Sequence, residues 1–279
     1  MSGRSTKPGG SLRRVGRRVM KYAEVGRIAV RSGWAYLWNQ LLATLFLVVV
    51  LYVFVQLWRT TFAAEGPVID GYTLPEMIWY LVATEAIILS LPRVHAVLEQ
   101  EVKDGDLALR LSKPHSYLGF HYASFLGEAL VKLAVMLLVG GATAYLTVGP
   151  IPFRWETAPL LLLLYPTTHA LNFFYVATAG LLAFWAEDVL GIYLLLDRLK
   201  WILGGMLIPV GLYPEAVRRL VRWLPFRHMI GGPAELFVHF SWDGAAALLR
   251  QQALWLVVFV VICVGIYRLG VRRVDLNGG

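Results

Sequence analysis

Long apolar runs separated by short polar links dominate this chain. A helix needs about 20 predominantly apolar residues to cross the ~30 Å hydrocarbon core of a bilayer. That ruler marks Trp38–Trp58 first, where Leu, Val and Phe run almost unbroken. Leu74–Leu91 follows, opened by Thr73 as a helix cap with Pro75 in the first turn and closed by Pro92, which disfavours helix in the residue before it. Ala129–Val148 is the third run and ends at Gly149-Pro150. Ala158–Trp185 is the fourth, long enough that it must tilt or bend, with Pro166 as the natural place. The fifth, Val189–Leu212, carries Asp197, Arg198 and Lys200 near its centre. Charges of this kind at mid-bilayer cost about 2.5–3.5 kcal/mol each, so they must face protein or water, or the helix must start later. Ala245–Leu269 is the sixth, with Trp255 and Tyr267 as interface markers.

Composition agrees with this pattern. Of 279 residues 58% are hydrophobic and only 16% charged, against about a quarter charged in soluble domains. The expectation is an all-α integral membrane protein with six transmembrane helices. A lone Cys263 excludes an internal disulfide framework and cysteine-rich metal sites. Residues 1–16 read as a disordered basic tail and 17–279 as a single domain without internal repeats.

The formal charge of +8 is not spread evenly. Nine Lys or Arg residues from Arg4 to Arg31 precede the first run, and no nucleic-acid recognition signature accompanies them. Beside a bilayer such a cluster marks the cytoplasmic side. With six crossings, the side holding both termini carries sixteen basic residues and the opposite side seven. Both termini are therefore expected in the cytoplasm. The contrary residues, Arg218 to Arg227, lie in Tyr213–Gly244, which is too polar to cross and too aromatic for a free loop, and it reads as short helices at the outer interface.

Residues 17–34 plot as an amphipathic helix for the inner leaflet, with Arg17, Lys21, Glu24 and Arg31 on one side and Val19, Ala23, Val30 and Trp34 on the other. In the link Pro92–Leu118 the charged residues alternate with Val94, Leu98, Val102, Leu107 and others, which permits a second helix with an apolar side. That side either docks in a groove of a soluble partner or packs on the chain itself. No G-x-S-x-G, H-E-x-x-H or G-x-x-x-x-G-K-[ST] sequence occurs, and no His pair has metal-ligand spacing. His95 and Glu99 stand four apart where a solvated surface pair is expected. Any ATP drive must come from a partner chain.

Gly105-Asp106-Leu107, then Leu111 and Lys113-Pro114, resemble the signature that follows the second span in permeases of ATP-binding-cassette type-2 (ABC-2) transporters. Gly204-Gly205-Met206-Leu207-Ile208-Pro209 with Tyr213-Pro214, and Leu224-Pro225-Phe226 with Pro233, resemble two further family stretches in the same order. The ending, with Gly278-Gly279, is similar to a branch often encoded as paired permeases. The Asp197-Arg198-x-Lys200 cluster departs from the family pattern. The resemblance implies half of an exporter in the bacterial or archaeal plasma membrane. It would pair with a second permease, identical or sister, and with two copies of an ATPase subunit that carries the ATP and magnesium. No cofactor is expected in this chain. Val94, Leu98, Val102, Gly105, Asp106, Leu107, Lys113 and Pro114 would then form the ATPase-coupling element.

Candidate pathway residues are the ionisable or polar groups inside the runs. Glu85 sits about eleven residues into the second run with no opposite charge three or four positions away, so it needs a partner on another helix, or a proton. His169 and Asn172 have the spacing to hydrogen-bond across helices. Asp197 and Arg198 complete the set, while Glu128 and Lys132 have the spacing of an ion pair. The competing reading is a stand-alone channel, ion-coupled carrier or membrane enzyme that uses these buried charges without an ATPase.

Overall fold

The computed structural model describes residues 23–28, 30, 37–111, 116–150 and 158–277. The tail 1–16, Lys113-Pro114 and Gly278-Gly279 lie outside the described residues. All regular elements described are helical. After α1 (residues 23–28) come α2 (Leu37–Glu65), α3 (Leu74–Ser90), α4 (Val94–Lys103), α5 (Asp106–Leu111) and α6 (Tyr117–Val148). Then follow α7 (Ala158–Leu181), α8 (Leu190–Gly204), α9 (Glu215–Val221), α10 (Phe226–Met229), α11 (Gly231–Val238) and α12 (Trp242–Asn277).

Local chemistry sets most of these boundaries. At the start of α3 the Thr73 amide and hydroxyl donate to Glu76 Oε2 at 2.8 and 2.7 Å, with Pro75 in the first turn. At its end Leu91 is extended ahead of Pro92. Ser116 opens α6 by accepting from the Gly119 amide at 3.3 Å, and Gly149 closes it. Helix α6 therefore begins twelve residues before the third apolar run. Its first turns carry Tyr117 and His121, polar side chains that are buried against the protein and so look aqueous in the sequence.

Four stretches are long and apolar enough to cross a membrane among the described residues: Leu41–Glu65, Leu74–Lys103, Tyr117–Val148 and Trp242–Arg273. The fifth run behaves differently from its expectation as one span. Helix α8 has 15 residues, about 22 Å at 1.5 Å per residue, short of a ~30 Å core. It stops at Gly205, which takes the left-handed conformation at φ 76°, and the chain continues through a 3-10 turn at Val210–Leu212.

Helix α3 is the hub of the bundle, with thirteen of its seventeen residues buried. It packs chiefly on α6 and also on α2 and α11, while α7 packs on α12 and α4. Helix α2 buries Leu47, Leu51, Val55, Trp58 and Phe62, one stripe at helical spacing, and exposes Leu42, Leu45, Val49 and Tyr52 on the other side. An exposed apolar face of this kind is unfavourable in water and natural in lipid or against another membrane helix.

Candidate functional site

Three groups of residues carry candidate chemistry. The first is the elbow α4–α5, at the end of α3 opposite Thr73. Val94, Leu98 and Leu107 are buried in the chain's own core, in one cluster with Val176 and Leu181 of α7, and Val102 packs against it. The apolar side of α4 is thus already covered, so of its two readings it packs on the chain itself, which corrects the assignment of Val94, Leu98 and Val102 as ATPase-docking residues. The close fit has a local cause: a Cβ at Gly180 of α7 would lie 2.8 Å from the His95 backbone. His95 is buried and stacks on Tyr193 of α8 at 3.4 Å between ring centroids, so it is not half of a solvated pair with Glu99. Glu99 instead meets Lys103 at 2.6 Å. The exposed side of the elbow presents Ala96, Val97, Gln100 and Lys103, then the turn Asp104–Asp106, where Gly105 has φ 76°.

Glu101 ties this elbow to the bundle. Its buried carboxylate meets Arg110 of α5 at 2.7 Å, accepts from the Tyr117 hydroxyl at 2.9 Å and lies 3.0 Å from His121 Nε2. Tyr117 stacks in parallel on Tyr267 of α12 at 5.4 Å, and Arg110 lies over the Phe120 ring at 5.3 Å. One acidic side chain therefore joins α4, α5 and the foot of α6, with α12 one ring further on. No sequence motif announced this role, because Glu101 reads as one more charge on an amphipathic helix.

The second group gathers the glycine-proline stretches around α3. Tyr80 donates its hydroxyl to the Gly205 carbonyl, and Thr84 donates to the Met206 carbonyl at 2.7 Å. These carbonyls lie at the end of α8, where backbone acceptors lack helical partners. A Cβ on Gly205 would come 2.9 Å from the Tyr80 hydroxyl and force a residue with a side chain into positive φ. Gly205→Ala is expected to lower stability by about 1–3 kcal/mol; an unchanged melting temperature in detergent would contradict this account.

The third group is polar and inside the bundle. Both carboxylate oxygens of Glu85 are buried without a hydrogen-bond partner among the described residues. It faces protein and not the exposed surface. Replacing an unpartnered buried polar group by an apolar one of similar shape is close to neutral or stabilising. Glu85→Leu is accordingly expected to reach the membrane in normal amounts and to melt no earlier than the wild type. His169 and Asn172 of α7 bond across helices as their spacing suggested. His169 Nε2 lies 2.9 Å from Ser90 Oγ of α3, and Asn172 Nδ2 donates to the Met229 carbonyl of α10 at 3.2 Å. Asp197 and Lys200 turn inward and pair at 2.9 Å, so the expected mid-run charges separate into a buried pair and an outward Arg198, whose guanidinium lies 4.0 Å over the Trp201 ring. Glu128 and Lys132 pair at 2.6 Å. Gln252 of α12, which no sequence pattern singled out, donates to Thr168 Oγ1 at 2.8 Å and the His228 carbonyl at 2.9 Å and accepts from Thr167 at 2.6 Å.

Among the described residues no group of three or more His, Cys, Asp or Glu side chains is placed to hold a metal ion. Apolar crossing helices, an elbow clamped to their ends and an inner set of paired polar groups define a multi-pass helical membrane protein. Residues 37–278 match the family described as ABC-2 family transporter protein. The chain belongs to that family and is the permease component, a membrane subunit of an ABC transporter. No curated protein is similar enough to match.

Proposed function

We propose that this chain is the permease half of an ATP-driven exporter, with a separate ATPase docked on the exposed side of α4–α5. The observation that carries the reading is the elbow itself. Its outer side, with Val97 at 47% exposure, is uncovered among the described residues, while its inner side is locked to α6, α7 and α8 through Glu101, Gly180 and His95. A push on such an element moves membrane helices with it. Two ATPase copies would hold the ATP and magnesium, and a second permease, identical or sister, would cover exposed apolar surface such as Leu195, Leu199 and Ile202 of α8. The remaining features of the reading are six crossings, with α7 and the fifth run, α8 together with its continuation through the 3-10 turn to Leu212, added to the four long stretches, and cytoplasmic termini in a plasma membrane. The crossings rest on the apolar runs, and the orientation rests on the charge asymmetry of the links. Glu85, His169, Asn172, Asp197 and Arg198 remain the pathway candidates.

Affinity purification in mild detergent tests this directly. Wild-type permease should bring down a P-loop ATPase. Val97→Glu should stay folded and inserted yet lose that partner, since a hot-spot residue reversed in a docking groove typically costs about 2 kcal/mol or more. Transport by the purified chain with no ATPase present would overturn the proposal in favour of a stand-alone carrier.

A further inference from the structure

At the end of the bundle opposite α4–α5, a half-open cavity of about 920 Å³ lies between α9, α11 and α12. Its charge is unbalanced. Arg219, Arg222 and Arg227 line it against one carboxylate, Glu235, which Arg227 already engages at 2.5 Å. Glu215 beside it serves Arg218 and Arg219 closely and Arg222 only at 3.7 Å. The hydrogen bonds from Arg218, then from Arg219, hold the Glu215 carboxyl below the usual carboxylate range. Arg219 and Arg222 still expose 71% and 61% of their side chains. Beside them Trp223 is 82% exposed, an aromatic of the kind enriched where membrane meets water.

The opposite wall of the same cavity is apolar, made by Leu248, Leu254 and Trp255. Leu254 is exposed, and Val257 and Val261, three and seven residues further along α12, are exposed as well. At helical spacing these three share one face, so the cavity continues into an apolar track running along α12. A cationic mouth joined to an apolar track matches a molecule with an anionic head and hydrocarbon chains. Guanidinium forks suit phosphate in particular, and the volume falls within the range of small-molecule sites.

We propose that this cavity binds an anionic phospholipid of the adjoining leaflet, its phosphate between Arg219 and Arg222 and its chains along Leu254, Val257 and Val261. The site is separate from the α4–α5 elbow and does not depend on the export reading.

The test reconstitutes the full-length permease in phosphatidylcholine vesicles that contain a minor fraction of brominated phosphatidylglycerol or, in parallel, brominated phosphatidylcholine. Bromine quenches nearby tryptophan fluorescence, and Trp223 and Trp255 line the cavity. Phosphatidylglycerol should quench the wild type more strongly, and the excess should vanish in Trp223→Phe/Trp255→Phe. In Arg219→Gln/Arg222→Gln the preference should fall on the order of fivefold per arginine, while Arg219→Lys/Arg222→Lys should keep most of it. Equal quenching of the wild type by both lipids overturns the proposal without reference to any variant. A preference that persists in the Gln pair overturns it too. Loss of the excess on adding inorganic phosphate would mean that the site takes a free anion and that the lipid assignment is wrong.

Discussion

Leu98→Glu is expected to prevent the permease from accumulating in a folded form, although the residue lies on a charged, surface-like helix. Leu98 is 0% exposed, packed in the core cluster that α4 shares with α7. Truncation to Ala alone should cost about 2–5 kcal/mol through lost burial and the cavity left behind. A carboxylate adds the penalty of burying a charge with no partner, which is several kcal/mol more. Marginal stabilities of about 5–15 kcal/mol leave little to absorb that. The measurement is the monodisperse yield in mild detergent, with Val97→Glu one residue away as the control. If Leu98→Glu accumulates as wild type does and only the partner is lost, α4 does not sit on α7 in the way described.

Removal of the Glu101 carboxylate should have the second large effect. In Glu101→Ala the Tyr117 hydroxyl and the His121 ring lose an acceptor in a buried place, and Arg110 loses its counter-charge. Breaking a buried pair by deleting one partner typically costs about 3–5 kcal/mol. Arg110 is partly exposed, which places this case toward the lower end of that range. Glu101→Gln should recover part of the loss, since an amide oxygen still accepts from Tyr117. Thermal melts of the three proteins check the order wild type, Gln, Ala. Equal melting of all three would show that the junction is held by packing alone.

The contrast between Leu98 and Val97 shows where reading the chain as a sequence stops. Periodicity identified α4 as a helix with an apolar side and chose Val94, Leu98 and Val102 as that side. It has no means of saying what the side faces, because lipid, an ATPase groove and a neighbouring helix all reward the same residues. Gly180 decides it by letting the His95 backbone approach α7, from a position 85 residues further on. His95 and Glu99 fail for the same reason: their spacing suits a pair, while burial and the Tyr193 ring draw His95 away. The glycine-proline stretches were legible as punctuation, yet their convergence on Tyr80 and Thr84 joins residues 125 and 122 positions apart.

The features legible along the chain are those set by terms that are local or additive. Apolar runs fixed the membrane environment, and α2, α3 and α12 follow their runs because transfer to lipid sums residue by residue. Thr73, Pro92 and Gly149 fixed helix ends through backbone chemistry within a few positions. The family, too, was readable from short motifs in order. Packing between distant segments settled that α8 stops short, that Glu101 is a junction, that Asp197 turns toward Lys200 while Arg198 points away, and that the arginines in and just after α9 meet an apolar wall of α12. Each of these depends on which helix a side chain meets. Burial makes that meeting decisive, because a polar group removed from water must take whatever partner the packing brings.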